Sequence, residues 1–115
     1  MGNEAERRAA KFLEALGFTI LDRNYTCRLG ELDLVCDERG TLCFVEVRMR
    51  SSSRQGFAIE SISPEKRRRI CLAAQHYLHA RAIEDRACRF DVVTVDGEAD
   101  PRLIRDAFRE ESGEL

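Results

Sequence analysis

Residues 31–50 read "ELDLVCDERGTLCFVEVRMR". Two short runs of strand-forming residues flank Arg39-Gly40, a pair suited to a two-residue hairpin turn in which glycine supplies a positive φ. With that turn, opposed residues sum to 79, so Leu32 faces Val47, Leu34 faces Val45 and Cys36 faces Cys43. One side of the hairpin is then wholly apolar. The other side sets Asp33 against Glu46, Glu31 against Arg48 and Val35 against Phe44. A three-residue turn with a bulge at Gly40 would shift the sum to 78 and mix charge into both faces, which sheets avoid. The first register is the one expected.

That register places two carboxylates directly opposite each other, with Cβ atoms about 5 Å apart. Two negative charges at that distance repel by roughly 3 kcal/mol at an effective dielectric of 20. Arg48 offsets part of this repulsion, and a divalent cation would offset more. Paired carboxylates with room for water suit Mg²⁺, which takes one or two carboxylates plus phosphate oxygens. The competing reading is a solvent-facing side of mixed charge, with Glu31 and Arg48 an ordinary cross-strand ion pair.

Outward from the hairpin, an α/β domain takes shape. Residues 4–16 carry Ala9, Ala10, Phe12, Leu13 and Leu16 at helical spacing, and Gly17 is a natural stop. Phe18 opens an extended segment to about Tyr25, and "CRLG" is a turn. Residues 50–63, "RSSSRQGFAIESIS", read as a loop. Ser63-Pro64-Glu65 is a helix start, with Ser63 as N-cap and Pro64 at the first helical position. Ile70, Ala73, Ala74, Tyr77 and Leu78 form that helix's apolar face. "CRFDVVTV" at 88–95 is a strand. Leu103, Ile104, Ala107 and Phe108 fall at helical spacing in a last short element. The order α-β-β-β-α-β implies a central mixed β-sheet flanked by helices, with residues 1–110 as one domain and 111–115 as a polar C-terminal tail.

With 115 residues, 43% hydrophobic and 35% charged, the chain has the composition of a single globular domain rather than a disordered one. It has no apolar run of membrane-spanning length, and its charged N-terminal stretch is unlike a secretory signal. The five cysteines contain no C-x-x-C pair and read as reduced core residues of a cytosolic protein, so the expected location is the cytoplasm. A zinc site with His76 and His79 lacks the usual cysteine spacing. Net charge is −2, but Arg48 to Arg69 holds seven basic and two acidic residues, leaving −7 elsewhere. Such a basic segment is either a phosphate-binding surface or an ordinary solvated face.

"GELDLVCDERGTLCFVEVR" resembles the G-E-I-D-L-I … F-V-E-V-K core of the YraN-like bacterial proteins, an uncharacterised, nuclease-like family. That family is similar to archaeal Holliday-junction resolvases and the restriction-endonuclease-like superfamily with its PD-(D/E)xK motif. "AERRAAKFLEALGFTILDRNY", "PEKRRRICLAAQHYL" and "RFDVVTV" extend the resemblance over nearly the whole chain. It implies a restriction-endonuclease-like fold, with Asp33 and Glu46 as metal-binding acids for Mg²⁺ or Mn²⁺. Glu6 falls on a first-helix acid that helps hold metal or its water. Glu31 belongs to the G-E-x-D motif, and Gln75 matches a polar helix position that some relatives use near the site.

Two departures stand out. Ala5 replaces a frequent glycine, and Arg48 stands where the motif has lysine. Arginine keeps the charge and can grip a phosphate, but it stays protonated and cannot act as a base. Arginine outnumbers lysine 17 to 2 in this chain, so Arg48 can reflect composition; alternatively the site keeps binding without catalysis. Lys66, at the start of the second long helix, is the amine that could be brought back to the site by folding.

The expected function is therefore metal-dependent hydrolysis of DNA phosphodiester bonds, with branched or processed DNA as substrate. Asp33, Glu46, Arg48, Glu31 and Glu6 make up the catalytic set. Arg50, Arg54, Lys66, Arg67, Arg68 and Arg69 are the candidates for phosphate contacts. The resolvase resemblance implies a homodimer, and nothing calls for a membrane. A non-catalytic nucleic-acid-binding module is the second reading, and a small protein-interaction domain the third.

Overall fold

A computed structural model describes residues 3–49, 59–97 and 99–109. The polar tail at 111–115 and most of the loop at 50–63 lie outside the described residues. The elements run α1 (Glu4–Ala15), β1 (Thr19–Cys27), β2 (Gly30–Glu38), β3 (Thr41–Met49), α2 (Pro64–Ala80), β4 (Cys88–Val95) and β5 (Arg102–Phe108). The five strands form one sheet in the order β1-β2-β3-β4-β5. Only β3 and β4 are parallel, joined by the crossover through α2. This mixed sheet with two flanking helices is compatible with a restriction-endonuclease-like fold.

Local chemistry explains the boundaries. Asn3 caps α1 by accepting the Glu6 N–H at 2.7 Å, and Gly17, at φ +102°, ends the turn that follows. Ser63 caps α2 through the Lys66 N–H at 3.1 Å, with Pro64 in the first turn. Arg39 and Gly40 both have positive φ, as a type I′ turn requires. That turn sets the register expected from sequence: Leu34 pairs Val45, Val35 pairs Phe44 and Cys36 pairs Cys43.

Each helix covers its own cluster of strand side chains. Ala5, Ala9, Ala10 and Leu13 of α1 pack with Leu34, Cys36, Cys43, Val45, Val93 and Val95. Ile70, Cys71, Ala73, Ala74 and Tyr77 of α2 pack with Val35, Leu42, Phe44, Val92, Ile104 and Phe108. Neighbouring residues of β3 thus alternate between the two clusters, as the pleat demands.

The expected apolar face breaks at one place. Leu32 joins the α2 cluster, whereas Leu34, two residues on, joins the α1 cluster. The change of face falls at Asp33, where the described β2–β3 ladder ends. Leu32 pairs with Tyr25 of β1, and Val47 packs on the α1 side, so those two do not share the face proposed for them.

The last element, whose helical spacing left its type open, is a strand over residues 102–108. Buried Asp91 on β4 accepts the Asp106 N–H at 2.8 Å, and Asp106 takes φ +53°. The resulting irregularity shifts the pairing between Phe90 and Val92. A strand that slips phase this way carries apolar residues at 103, 104, 107 and 108, which imitates helical spacing.

Candidate metal centre

The break in β2 exposes what Asp33 does. Its Oδ2 accepts the backbone N–H of Val47 at 2.8 Å, so a side chain takes over where the β2–β3 backbone ladder stops. This pins the carboxylate beside Glu46, close enough for the two carboxyls to interact directly. Glu46 is buried at 5% exposure. Burial first, and the Asp33 charge second, push its pKa up to about 8. Burial also raises Asp33, while the Val47 N–H, the Glu46 hydrogen bond and the Lys66 charge pull it back down. Both acids are thus displaced upward, Glu46 the further, so the pair resists carrying two negative charges at once.

Two cations flank Glu46. Lys66 Nζ on the first turn of α2 and Arg48 Nη1 on β3 each lie 3.7 Å from Glu46 Oε2. Arg48 is otherwise turned away from the acids: its Nη2 donates to the carbonyl oxygen of Ser61 at 3.2 Å and to the Ser61 hydroxyl at 3.3 Å. The expected Glu31–Arg48 ion pair does not form, because β2 leaves the ladder before Glu31, which pairs with Thr26 of β1 instead. β3 carries no lysine here; the primary amine that stands beside Glu46 is on α2.

Glu6, in the first turn of α1, approaches from the other side. The Asn24 side chain favours the charged form of the Glu6 carboxyl. Burial, the charge of Asp33 and the charge of Glu31 raise its pKa. Asn24 holds the left-handed φ of +52°, a conformation asparagine tolerates better than most residues. Glu31 is exposed on β2, within electrostatic reach of both Asp33 and Glu6. Among the described residues, no trio of His, Cys, Asp and Glu forms a metal cage. A cation here would rest on Asp33 and Glu46, with Glu6 and Glu31 as further acids within electrostatic reach of Asp33. The pair suits a small hard cation, since two acids that resist joint ionisation would trade their shared proton for it.

The basic segment divides. Arg67 is committed to the fold: Nε donates to the Ile62 carbonyl and Nη2 to the Ile59 carbonyl, each at 2.9 Å, and its guanidinium lies over Phe108. Arg67 is therefore removed from the phosphate-contact set. Arg68 and Arg69 are exposed on α2, Arg69 within 3.7 Å of Glu65. Arg50 and Arg54 lie outside the described residues. Gln75 is half-buried on α2, and His76 Nδ1 lies 2.5 Å from the Tyr25 hydroxyl.

Sequence reasoning missed Arg28, Gly30 and Asn24. Arg28 stands exposed on the β1–β2 turn. A Cβ at position 30 would come within 2.7 Å of the Arg69 carbonyl oxygen, so only glycine lets β2 approach α2 this closely. A glycine next to Glu31 was the available signal.

Fold and site together define an α/β domain with a half-buried carboxylate pair and a neighbouring amine. The sequence of the uncharacterised protein family UPF0102 matches residues 5–95, and the chain belongs to that family. It is 48% identical to a UPF0102 protein of Nitrosococcus oceani, covering 96% of this chain and 93% of that one. A Dechloromonas aromatica relative is 54% identical over 84% of this chain and 79% of its own length. One from Myxococcus xanthus is 48% identical over 90% and 82% respectively. Among the described residues, no helix is long and apolar enough to cross a membrane.

Proposed function

We propose that the protein is a metal-dependent endonuclease acting on DNA phosphodiester bonds, with Mg²⁺ or Mn²⁺ held by Asp33 and Glu46. The observation that carries this reading is the Asp33–Glu46 carboxyl pair, with Asp33 fixed by the Val47 N–H and the Lys66 amine 3.7 Å from Glu46. When bound, the cation would supply positive charge for phosphate oxygens and for an attacking water. Asp33 is oriented for this by the Val47 N–H, so its carboxylate is held by backbone rather than by a rotamer alone. Lys66 takes the part that the resemblance gives to the motif lysine: its ammonium meets the charge developing on phosphate and, unlike a guanidinium, can exchange a proton. Arg48 is a holding cation, anchored on Ser61 and facing Glu46. A homodimer would present two such sites to a branched substrate, which is why four-way DNA belongs in the test.

The experiment is cleavage of linear, flapped and four-way DNA with Mn²⁺ or Mg²⁺. Asp33→Asn should abolish cleavage, and Lys66→Met should cost at least 100-fold, more than Arg48→Met. Full activity in Asp33→Asn refutes the reading. DNA binding with steep salt dependence and no cleavage by any variant, Arg48→Lys included, favours the second reading, a binding module. Its support is the Arg48 guanidinium locked onto Ser61.

A further inference from the structure

Beside the acidic pair lies a cleft of about 350 Å³ between the β1–β2 turn and α2, whose lining includes Arg28, Leu29, Gly30, Glu31, Lys66 and Arg69. Three cations, Arg28, Lys66 and Arg69, face one acid, Glu31. Lys66 belongs to both places, lining the cleft and standing at Glu46. Arg28 makes no ion pair or side-chain hydrogen bond among the described residues. Arg69 has only an exposed partner one turn back, Glu65 at 3.7 Å, a contact that contributes little. Leu29 is one of the few large apolar side chains left exposed among the described residues, at 43%. Two under-used guanidinium groups and an exposed leucine around a cleft of small-ligand size are complementary to something anionic at one end and flat or apolar at the other.

We infer that this cleft holds one nucleotide of a nucleic-acid strand next to the phosphate that lies at Asp33 and Glu46. Arg28 and Arg69 grip its phosphate, and Leu29 packs against its sugar or base. This assignment rests on the proposed function and adds the direction in which the strand leaves the site: along the β1–β2 turn and the first turns of α2. Gly30 belongs to the arrangement, because its missing side chain lets the turn sit against the Arg69 backbone.

Fluorescence anisotropy with a labelled single-stranded 12-mer, in EDTA and over a salt series, tests it. Arg28→Ala/Arg69→Ala should lower the slope of log affinity against log salt by about 1.4 on this single-stranded probe, which is about 25-fold weaker binding at 0.1 M salt. Its melting temperature and its Mn²⁺-induced thermal shift should match wild type, since both arginines are exposed. Leu29→Ala should weaken binding without changing the slope. Asp33→Asn should do the reverse of the arginine variant, losing the Mn²⁺ shift and keeping the salt slope. An unchanged slope in the double variant overturns the cleft assignment and leaves the metal site standing. Loss of the Mn²⁺ shift in wild type overturns the proposed function instead. Equal competition by a free nucleoside monophosphate makes the cleft a nucleotide pocket, and equal competition by poly-glutamate makes it an acidic-peptide site; either overturns the strand assignment.

Discussion

Glu46→Gln should make the metal-free protein more stable at alkaline pH, although it removes a central acid. Glu46 is buried, and its folded-state pKa of about 8 lies well above the ordinary 4.5. A group raised in this way contributes stability that is fully present below about pH 4.5 and is lost as pH rises through 8. The complete displacement corresponds to roughly 5 kcal/mol. Glutamine keeps the shape, has an N–H to offer Asp33, and never ionises. It cannot reproduce every contact, so about 2 kcal/mol is the expected gain at pH 9, or roughly 8 °C in melting temperature for a domain of this size. Below pH 5 the two proteins should melt within about 2 °C of each other. The assay is thermal unfolding followed by circular dichroism from pH 4 to 9.5 in EDTA. With excess Mn²⁺ the order should reverse, because a cation at a hundredfold excess over its dissociation constant stabilises wild type by about 2.7 kcal/mol. A Glu46→Gln protein that is less stable than wild type at pH 9 without metal would refute the reasoning, since Glu46 would then be ionised and satisfied in the fold.

Two further outcomes bear on the frame around the site. Gly30→Ala drives a methyl group into the Arg69 backbone, and a carbonyl cannot rotate away like a side chain. It should cost about 1–3 kcal/mol in urea unfolding and weaken oligonucleotide binding as well. At the far end of the hairpin, Arg105 and Arg89 hold the Glu38 carboxyl down at about 2, and Arg89 also grips buried Asp91. Glu38 is the depressed case: its contribution is present above about pH 4.5 and is lost as pH falls through 2. Glu38→Gln should destabilise by about 1–2 kcal/mol at pH 7, and the difference should vanish near pH 2. An equal deficit at both pH values would mean that the loss is one of packing, not charge.

The sequence by itself determined the hairpin. Arg39-Gly40 admits one turn that keeps apolar residues together, and that turn sets Leu34 against Val45 and brings Asp33 and Glu46 to the same end of it. It also marked both helix starts and the order of the elements, because capping and periodicity are local properties of the chain. Tertiary structure decided the rest. The final strand was disguised because Asp91, from a neighbouring strand, holds Asp106 in a bulge that no local pattern announces. Arg67 looked like its basic neighbours, yet its guanidinium was claimed by the Ile59 and Ile62 carbonyls. The site itself turned on the same kind of contact. Arg48, in the motif position, was drawn to Ser61, while Lys66, eighteen residues along the chain, reached Glu46 because α2 packs across β2 and β3. A motif records which residues are adjacent in the chain, whereas charge acts through space, so the cation that stands beside a buried acid is settled only by packing.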